Sequence, residues 1–163
     1  SAASDVYKRQ IGNSFENIRL LDKKDIYAKA YIDEGGFDST DTQLQSVEMD
    51  DQLSLTPEFP YNWMYDGTKN TLNRVKAYFE LEMECRALLL VFKDSGEVNV
   101  GKAKVYVDGE YHFTADPHIN NWQHCNAVII FNNKTSENHV VRIEIEEEDR
   151  DKQFTILGFG YVL

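Results

Sequence analysis

The chain has 163 residues, enough for one domain with a single hydrophobic core. Its formal net charge of −11 argues against nucleic acid and anionic membranes as partners. No apolar run is long enough to span a bilayer, and nine Tyr and nine Phe against three Pro suit β-strands better than disorder.

The first ten residues, SAASDVYKRQ, match the translation of an adapter used in preparing sequencing libraries. We predict that 1–10 form an artefactual, disordered leader and that 11–163 form a single domain. No signal peptide is visible, but an artefactual leader would hide the natural N-terminus. The sequence therefore assigns no compartment.

The first half of the domain shows weak strand patterns broken by turns. Short strands are predicted over 18–21, 27–32 and 44–49. Pro57 and Pro60 favour a loop or an edge strand over 53–61. Asp66-Gly67 is typical of a turn that closes this half.

The second half has a more regular strand pattern. Apolar and polar residues alternate over 75–85, which favours a long strand with one solvent-facing side over a helix. The runs ALLLVF (87–92) and AVIIF (127–131) are continuously apolar and predict strands covered on both faces. The last strand, predicted over 154–163, contains Gly158 and Gly160, whose spacing indicates close approach of a backbone or a large side chain.

The clearest hairpin is GKAKVYVDGEYHFTA, over 101–115. Ala103, Val105 and Val107 alternate with polar residues, and Asp108-Gly109 is typical of a two-residue type I′ turn. No long helix is predicted. Many short strands separated by turns predict an all-β fold, an antiparallel two-sheet β-sandwich that is jelly-roll-like.

Cysteine and histidine spacing does not indicate a metal or redox site. Cys85 and Cys125 form no C-x-x-C motif, and we do not expect a disulfide between them. His118 and His124 share a polar loop with Asp116, but the spacing is not that of a zinc site. We predict no cofactor and no bound metal.

Three stretches carry a resemblance to a known family: GKAKVYVDG, the Trp-containing loop NNWQHCNAV, and HVVRIEIEEEDRDKQFTILGFGY. In this order they resemble the β-sandwich accessory domain of SGNH/GDSL-type esterases of anaerobic gut bacteria, over roughly 15–163. The resemblance implies a parent protein that hydrolyses esters of acylated carbohydrate. It also implies that the sandwich packs on a separate SGNH catalytic domain and is itself non-catalytic, with polysaccharide as a further partner.

Exposed aromatic rings beside amide or acid groups can hold the apolar face of a sugar. Trp122 lies among polar residues, and Trp63, Tyr65, Tyr106 and Tyr111 are further aromatic residues that could hold a sugar. The candidate glycan-binding or interface residues are Trp122, Asn121, His124, Asn126, Trp63 and Tyr65. The alternative is that Trp63 and Trp122 close the ends of the core and bury their rings.

Two other functions stay open. The sequence around Ser14 superficially resembles the nucleophile block of SGNH hydrolases, which would make the chain itself an esterase. However, neither the G-x-N-D block nor the late D-x-x-H block of that family is present to supply an oxyanion hole and a base. The third alternative is a purely structural or oligomerisation sandwich.

Overall fold

The computed structural model of the protein describes residues 15–42, 60–69, 71–119 and 125–163. Within these ranges the only helical segments are two short 3₁₀ turns, Thr71–Arg74 and Glu147–Asp149. Neither is long or apolar enough to cross a membrane. The predicted all-β class is confirmed.

The described residues contain eight strands that form one continuous, folded sheet. The strands are β1 (Arg19–Leu21), β2 (Tyr31–Asp33), β3 (Trp63–Asp66), β4 (Tyr78–Lys93), β5 (Ala103–Val107), β6 (Glu110–Ala115), β7 (Cys125–Ile145) and β8 (Gln153–Val162). The sheet order is β1-β8-β4-β7-β5-β6, with β2 paired to β4 and β3 paired to β8. All pairings between these strands are antiparallel.

The two longest strands, β4 and β7, belong to both layers of the sandwich. The β2 layer consists of β2, 78–85 of β4, 137–145 of β7, β5 and β6. The β8 layer consists of β1, β3, β8, 87–93 of β4 and 125–132 of β7. The predicted two-sheet β-sandwich is therefore confirmed, with two strands continuing from one layer into the other.

An irregularity at Arg86 allows β4 to change layers. Cys85 lies opposite Glu137 and Ala87 lies opposite Asn132, so β7 has four residues, 133–136, where β4 has only Arg86. Buried residues occupy odd positions of β4 up to Ala87 and even positions from Leu88 onward, so two adjacent residues are buried where the strand changes layers.

Aromatic rings form the centre of the core between the layers. Phe79 of the β2 layer stacks on Phe159 of the β8 layer, with ring centroids 5.7 Å apart. The Trp63 ring lies 5.1 Å from that of Phe79, and Phe37 packs edge-on against Phe79 and Phe154. All five rings are buried, and burial of each such side chain stabilises the fold by about 1.5–3 kcal/mol.

The predicted turn between β5 and β6 is confirmed. Asp108 has φ 51° and Gly109 has φ 83°, the left-handed conformation that a type I′ turn requires at both positions. This turn fixes the pairing of β5 with β6, and β5 in turn pairs with β7.

The other local predictions have mixed outcomes. Strand β1 matches the predicted 18–21, whereas β2 begins only at Tyr31 because a turn occupies 28–29. The predicted strand over 44–49 lies outside the described residues. The predicted double coverage of 127–131 is wrong, since Ala127 is exposed and Ile129 is 50% exposed. Both side chains point away from the core, because they alternate with Val128, which packs against it.

Candidate functional site

Two of the sequence-predicted aromatic residues, Trp63 and Tyr65, lie in the core rather than at a surface. Both are fully buried on β3. The Trp63 Nε1 donates a hydrogen bond of 3.0 Å to Glu34 Oε1, and the Tyr65 hydroxyl donates one of 2.5 Å to the carbonyl oxygen of Arg150. Burial raises the pKa of Tyr65 and keeps this donor protonated. Neither ring is therefore available to a glycan. For Trp63 the alternative, burial of its ring in the core, is the one observed.

Of the remaining sequence-predicted site residues, Asn126 lies within the described ranges. Asn126 is half-buried on β7, opposite Phe92 of β4. Asn121, Trp122 and His124 lie outside the described residues, as does Ser14. Their proposed roles stay predictions.

A row of polar and aromatic side chains crosses the outer face of the β2 layer. This polar row consists of Asp33, Glu80, Arg142, Tyr106 and Tyr111, which lie opposite one another across β2, β4, β7, β5 and β6. Directly opposite residues of antiparallel strands project from the same face. The sheet register therefore collects residues from five separate strands into one line.

Arg142 occupies the centre of the polar row and is held by three neighbours. Its Nη1 lies 2.6 Å from Glu80 Oε1 and its Nε lies 3.5 Å from Glu144 Oε2. The guanidinium carbon lies 4.2 Å from the centroid of the Tyr78 ring, a cation–π contact. Partial burial alone would lower the pKa of Arg142, but the hydrogen bond that it donates to Glu80 and the charge of Glu144 raise that pKa above its ordinary value. The guanidinium is therefore charged and already engaged.

Carboxylates on this face are also oriented by uncharged neighbours. The Tyr78 hydroxyl lies 3.3 Å from Asp33 Oδ2, and the charge of Asp33 raises the pKa of Tyr78. The Asn138 Nδ2 donates a 3.0 Å hydrogen bond to Glu82 Oε1. The second oxygen of Asp33 accepts a hydrogen bond from the Gly35 N–H at 3.0 Å. Carboxylate oxygens have more than one lone pair, so both carboxylates can accept further hydrogen bonds.

Tyrosine rings lie at both ends of the face. Tyr31, which is opposite Glu82, is 72% exposed, and Tyr111 is 55% exposed. The ring of the half-buried Tyr106 packs against Tyr111 with centroids 6.0 Å apart and an interplanar angle of 70°. The hydroxyl groups of Tyr111 and Thr114 are 2.8 Å apart. The rings at the β6 end are thus held in place rather than free to rotate.

Two shallow depressions lie side by side on this surface. The first, about 200 Å³, is lined by Tyr31, Ile32, Asp33, Glu80, Glu82 and Val140. The second, about 330 Å³, is lined by Glu80, Tyr106, Gly109, Val140, Arg142 and Glu144. Glu80 and Val140 border both. We term the polar row and these two depressions together the tyrosine–carboxylate face.

His118 and His139 each lie beside an aspartate away from this face, and no metal-binding cluster is found among the described residues. His118 Nδ1 lies 3.1 Å from Asp116 Oδ1, and His139 Nδ1 lies 2.7 Å from Asp108 Oδ2. Within the described ranges, no three His, Cys, Asp or Glu side chains converge in a way that could hold a metal ion. The tyrosine–carboxylate face offers ring surfaces and hydrogen-bond acceptors.

Sequence reasoning named Tyr106 and Tyr111 among the aromatic residues that could hold a sugar, but it did not identify the face to which they belong. The alternation of Glu80, Glu82 and Glu84 with apolar residues indicated only a solvent-facing side of a strand. The missing information was the register, because it brings Glu80 opposite both Asp33 and Arg142. Tyr31 was assigned to a predicted strand, without a signal that its ring would be exposed.

Comparison with known proteins gives a likeness of fold. No protein-family model and no curated sequence matches the chain. A two-domain esterase (CEX) active on acetylated mannans superposes with a TM-score of 0.58 and 14% identity, covering 90% of this chain and 36% of that chain. The CBM35 from Cellvibrio japonicus Abf62 superposes with a TM-score of 0.51 and 11% identity, covering 90% of this chain and 94% of that chain. The chain has the fold of a carbohydrate-binding module.

A third structure supports the same fold. The acetyl xylan esterase Est2A from the rumen bacterium Butyrivibrio proteoclasticus superposes with a TM-score of 0.52 and 11% identity, covering 88% of this chain and 32% of that chain. The chain thus spans about a third of the length of the similar esterases, but nearly the whole CBM35 module. The predicted resemblance to a β-sandwich accessory domain of carbohydrate esterases is confirmed at the level of the fold.

Proposed function

We propose that the chain is a non-catalytic, glycan-binding accessory module of an esterase that acts on acylated carbohydrate. The fold it shares with a CBM35 module and with carbohydrate esterases supports this class of function, although a fold alone does not assign a ligand. The observation that carries the proposal is the tyrosine–carboxylate face. It is an exposed surface that combines aromatic rings with oriented hydrogen-bond acceptors.

The chemistry of this face matches that of a sugar chain. A pyranose ring presents an apolar surface of C–H groups that packs on an aromatic ring, and its hydroxyl groups donate hydrogen bonds to carboxylates. Tyr31 lines one depression and Tyr106 the other, and the carboxylate of Glu80 borders both. Two adjacent depressions are suited to neighbouring units of one polysaccharide rather than to a small isolated ligand.

The proposed parent protein carries an SGNH/GDSL-type catalytic domain on which this module packs. The two similar esterases are described as a two-domain enzyme active on acetylated mannans and as an acetyl xylan esterase. This chain would correspond to about a third of such a protein. Its proposed role is to keep the catalytic domain on its polysaccharide while the catalytic domain removes acyl groups.

Affinity electrophoresis tests the proposed function. The wild-type chain should be retarded in native gels that contain acetylated mannan or xylan, and Tyr31→Ala and Tyr111→Ala should each bind about tenfold more weakly, which corresponds to roughly 1.4 kcal/mol. Tyr61, which is 44% exposed and contacts Lys24 away from this face, provides the matched Tyr61→Ala control. Absence of retardation by these polysaccharides, or an equal loss in Tyr61→Ala, would argue against glycan binding by this face.

A further inference from the structure

The outer face of the β8 layer is apolar, in contrast to the tyrosine–carboxylate face of the other layer. One row crosses four strands in register and consists of Leu20, Gly160, Leu89 and Ile129. The neighbouring row consists of Gly158, Val91 and Ala127. Neither row contains a charged or polar side chain. We term these two rows, with Ile18, the apolar face.

The two glycines allow the aliphatic side chains to lie flat on β8. A Cβ atom on Gly160 would lie 2.6 Å from Ile18 Cδ1, and one on Gly158 would lie 3.2 Å from Leu20 Cδ1. The predicted close approach of large side chains at these glycines is therefore confirmed. The same side chains remain partly open to solvent, since Ile18 is 43%, Leu20 is 48% and Ile129 is 50% exposed.

We propose that the apolar face is the surface on which the catalytic domain of the parent protein packs. This inference rests on the proposed function and assigns a place to the partner. The apolar face belongs to one layer and the tyrosine–carboxylate face to the other, and both are the outer faces of their layers. A domain that covers Leu20 and Ile129 therefore leaves Tyr31 and Tyr111 open to a polysaccharide.

The size of the apolar face favours a tethered domain over a second copy of this chain. A stable dimer of separate chains buries roughly 800 Å² per partner, and three half-exposed aliphatic residues with their neighbours provide much less. A net charge of −11 also opposes association of two copies. A covalently linked domain needs less contact area, because the linkage supplies an effective concentration in the millimolar range.

The apolar character also matches an interdomain contact better than a ligand site. Aliphatic side chains in register offer no hydrogen-bond donors or acceptors, so they cannot recognise a sugar or an ion. A second protein surface of similar apolar character removes them from water, which is the main source of stabilisation at such contacts. Contacts between domains of one chain are also commonly of modest size.

Calorimetry of the full parent protein, containing this chain and its esterase domain, tests the docking surface. In the wild type, the two domains should unfold in one coupled transition. The double variant Leu20→Gln/Ile129→Gln should separate this transition into two. Val98 is 90% exposed and lies outside the apolar face, so Val98→Gln is the matched control and should leave the coupled transition intact. An unchanged transition in the double variant, or a parent gene without an esterase domain, would overturn the docking surface.

Two further measurements distinguish the possible failures. The isolated chain should sediment as a monomer, and a dimer that the double variant dissociates would assign the apolar face to a second copy instead. Retardation in polysaccharide gels should be unchanged in Leu20→Gln/Ile129→Gln and reduced in Tyr31→Ala. If neither the wild type nor any variant is retarded, while calorimetry still shows coupled unfolding of the two domains in the wild type, glycan binding is contradicted and the docking surface is supported.

Discussion

Arg142 and Glu80 lie opposite each other on β7 and β4, with Arg142 Nη1 2.6 Å from Glu80 Oε1. The two side chains are 34% and 36% exposed, so the pair contributes little to stability, about 0.2–1 kcal/mol. The main effect of the ion pair is on the orientation of Glu80. This residue borders both depressions of the tyrosine–carboxylate face, and Arg142 holds the Glu80 carboxylate in one orientation.

Loss of this orientation should weaken glycan binding more than folding. We expect Arg142→Gln to bind polysaccharide about five- to tenfold more weakly, because Glu80 would no longer be fixed as an acceptor, while the free energy of unfolding falls by at most about 1 kcal/mol. Titration calorimetry and urea denaturation measure the two effects. Lys134→Gln removes the same charge at an exposed site of β7 and should change neither. Full affinity in Arg142→Gln would show that the arginine does not organise the site.

The charge of the tyrosine–carboxylate face should select neutral glycans. Asp33, Glu82 and Glu144 are carboxylates on this face, and the guanidinium of Arg142 is already engaged by Glu80 and Glu144. Like charges at short range repel, so uronic acid units should bind at least about tenfold more weakly than neutral units. Calorimetric titration with neutral and uronate-containing oligosaccharides of equal length compares them. Equal or tighter binding of the uronates would refute this selectivity.

Two glycines should differ sharply in their tolerance of alanine. A Cβ on Gly67 would lie 1.9 Å from the carbonyl oxygen of Arg150, so the backbone must move, and we expect Gly67→Ala to lose about 3 kcal/mol of unfolding free energy. Gly109 has φ 83° and no atom within 4 Å of an added Cβ, so Gly109→Ala should lose only about 1 kcal/mol from backbone strain. Urea denaturation of both variants is the measurement. A larger loss of unfolding free energy in Gly109→Ala than in Gly67→Ala would contradict the packing described around Gly67.

The two cysteines should react at very different rates. Cys85 is fully buried, and burial raises the pKa of its thiol to about 11, so almost no reactive thiolate is present at pH 8. Cys125 is half-buried, and no disulfide joins it to Cys85. Mass spectrometry after treatment with iodoacetamide should find one modified thiol in the native chain and two in urea. Rapid modification of both thiols without denaturant would show that the core around Cys85 is open.

Much of the fold could be predicted from side-chain alternation and turn chemistry. The Asp108-Gly109 turn is observed, and the alternating pattern predicted over 75–85 corresponds to β4 from Tyr78 onward. Val75 lies outside that strand and is 79% exposed. The irregularity at Arg86 could not be predicted, because no residue type signals where β7 places four residues against one of β4. Ala127 and Ile129 face outward, and a continuously apolar run gives no sign of which side is covered.

The candidate site was less predictable than the fold. Sequence reasoning weighed Trp63 as a sugar-binding residue against burial in the core, and Trp63 fills the core beside Phe79. Tyr31 and Tyr111 are separated by eighty residues of sequence and share a face only because β2 and β6 lie in the same layer. Such a surface follows from strand order and register, which local patterns do not determine.

The most direct test of glycan binding by the tyrosine–carboxylate face is a titration of the ¹⁵N-labelled chain with acetylated manno-oligosaccharide, followed by amide chemical shifts. We predict that the largest shifts fall on Tyr31, Glu80, Tyr106 and Arg142, with none on Leu20 or Ile129. Shifts confined to Trp122 and its sequence neighbours, or no shifts at millimolar oligosaccharide, would contradict the assignment.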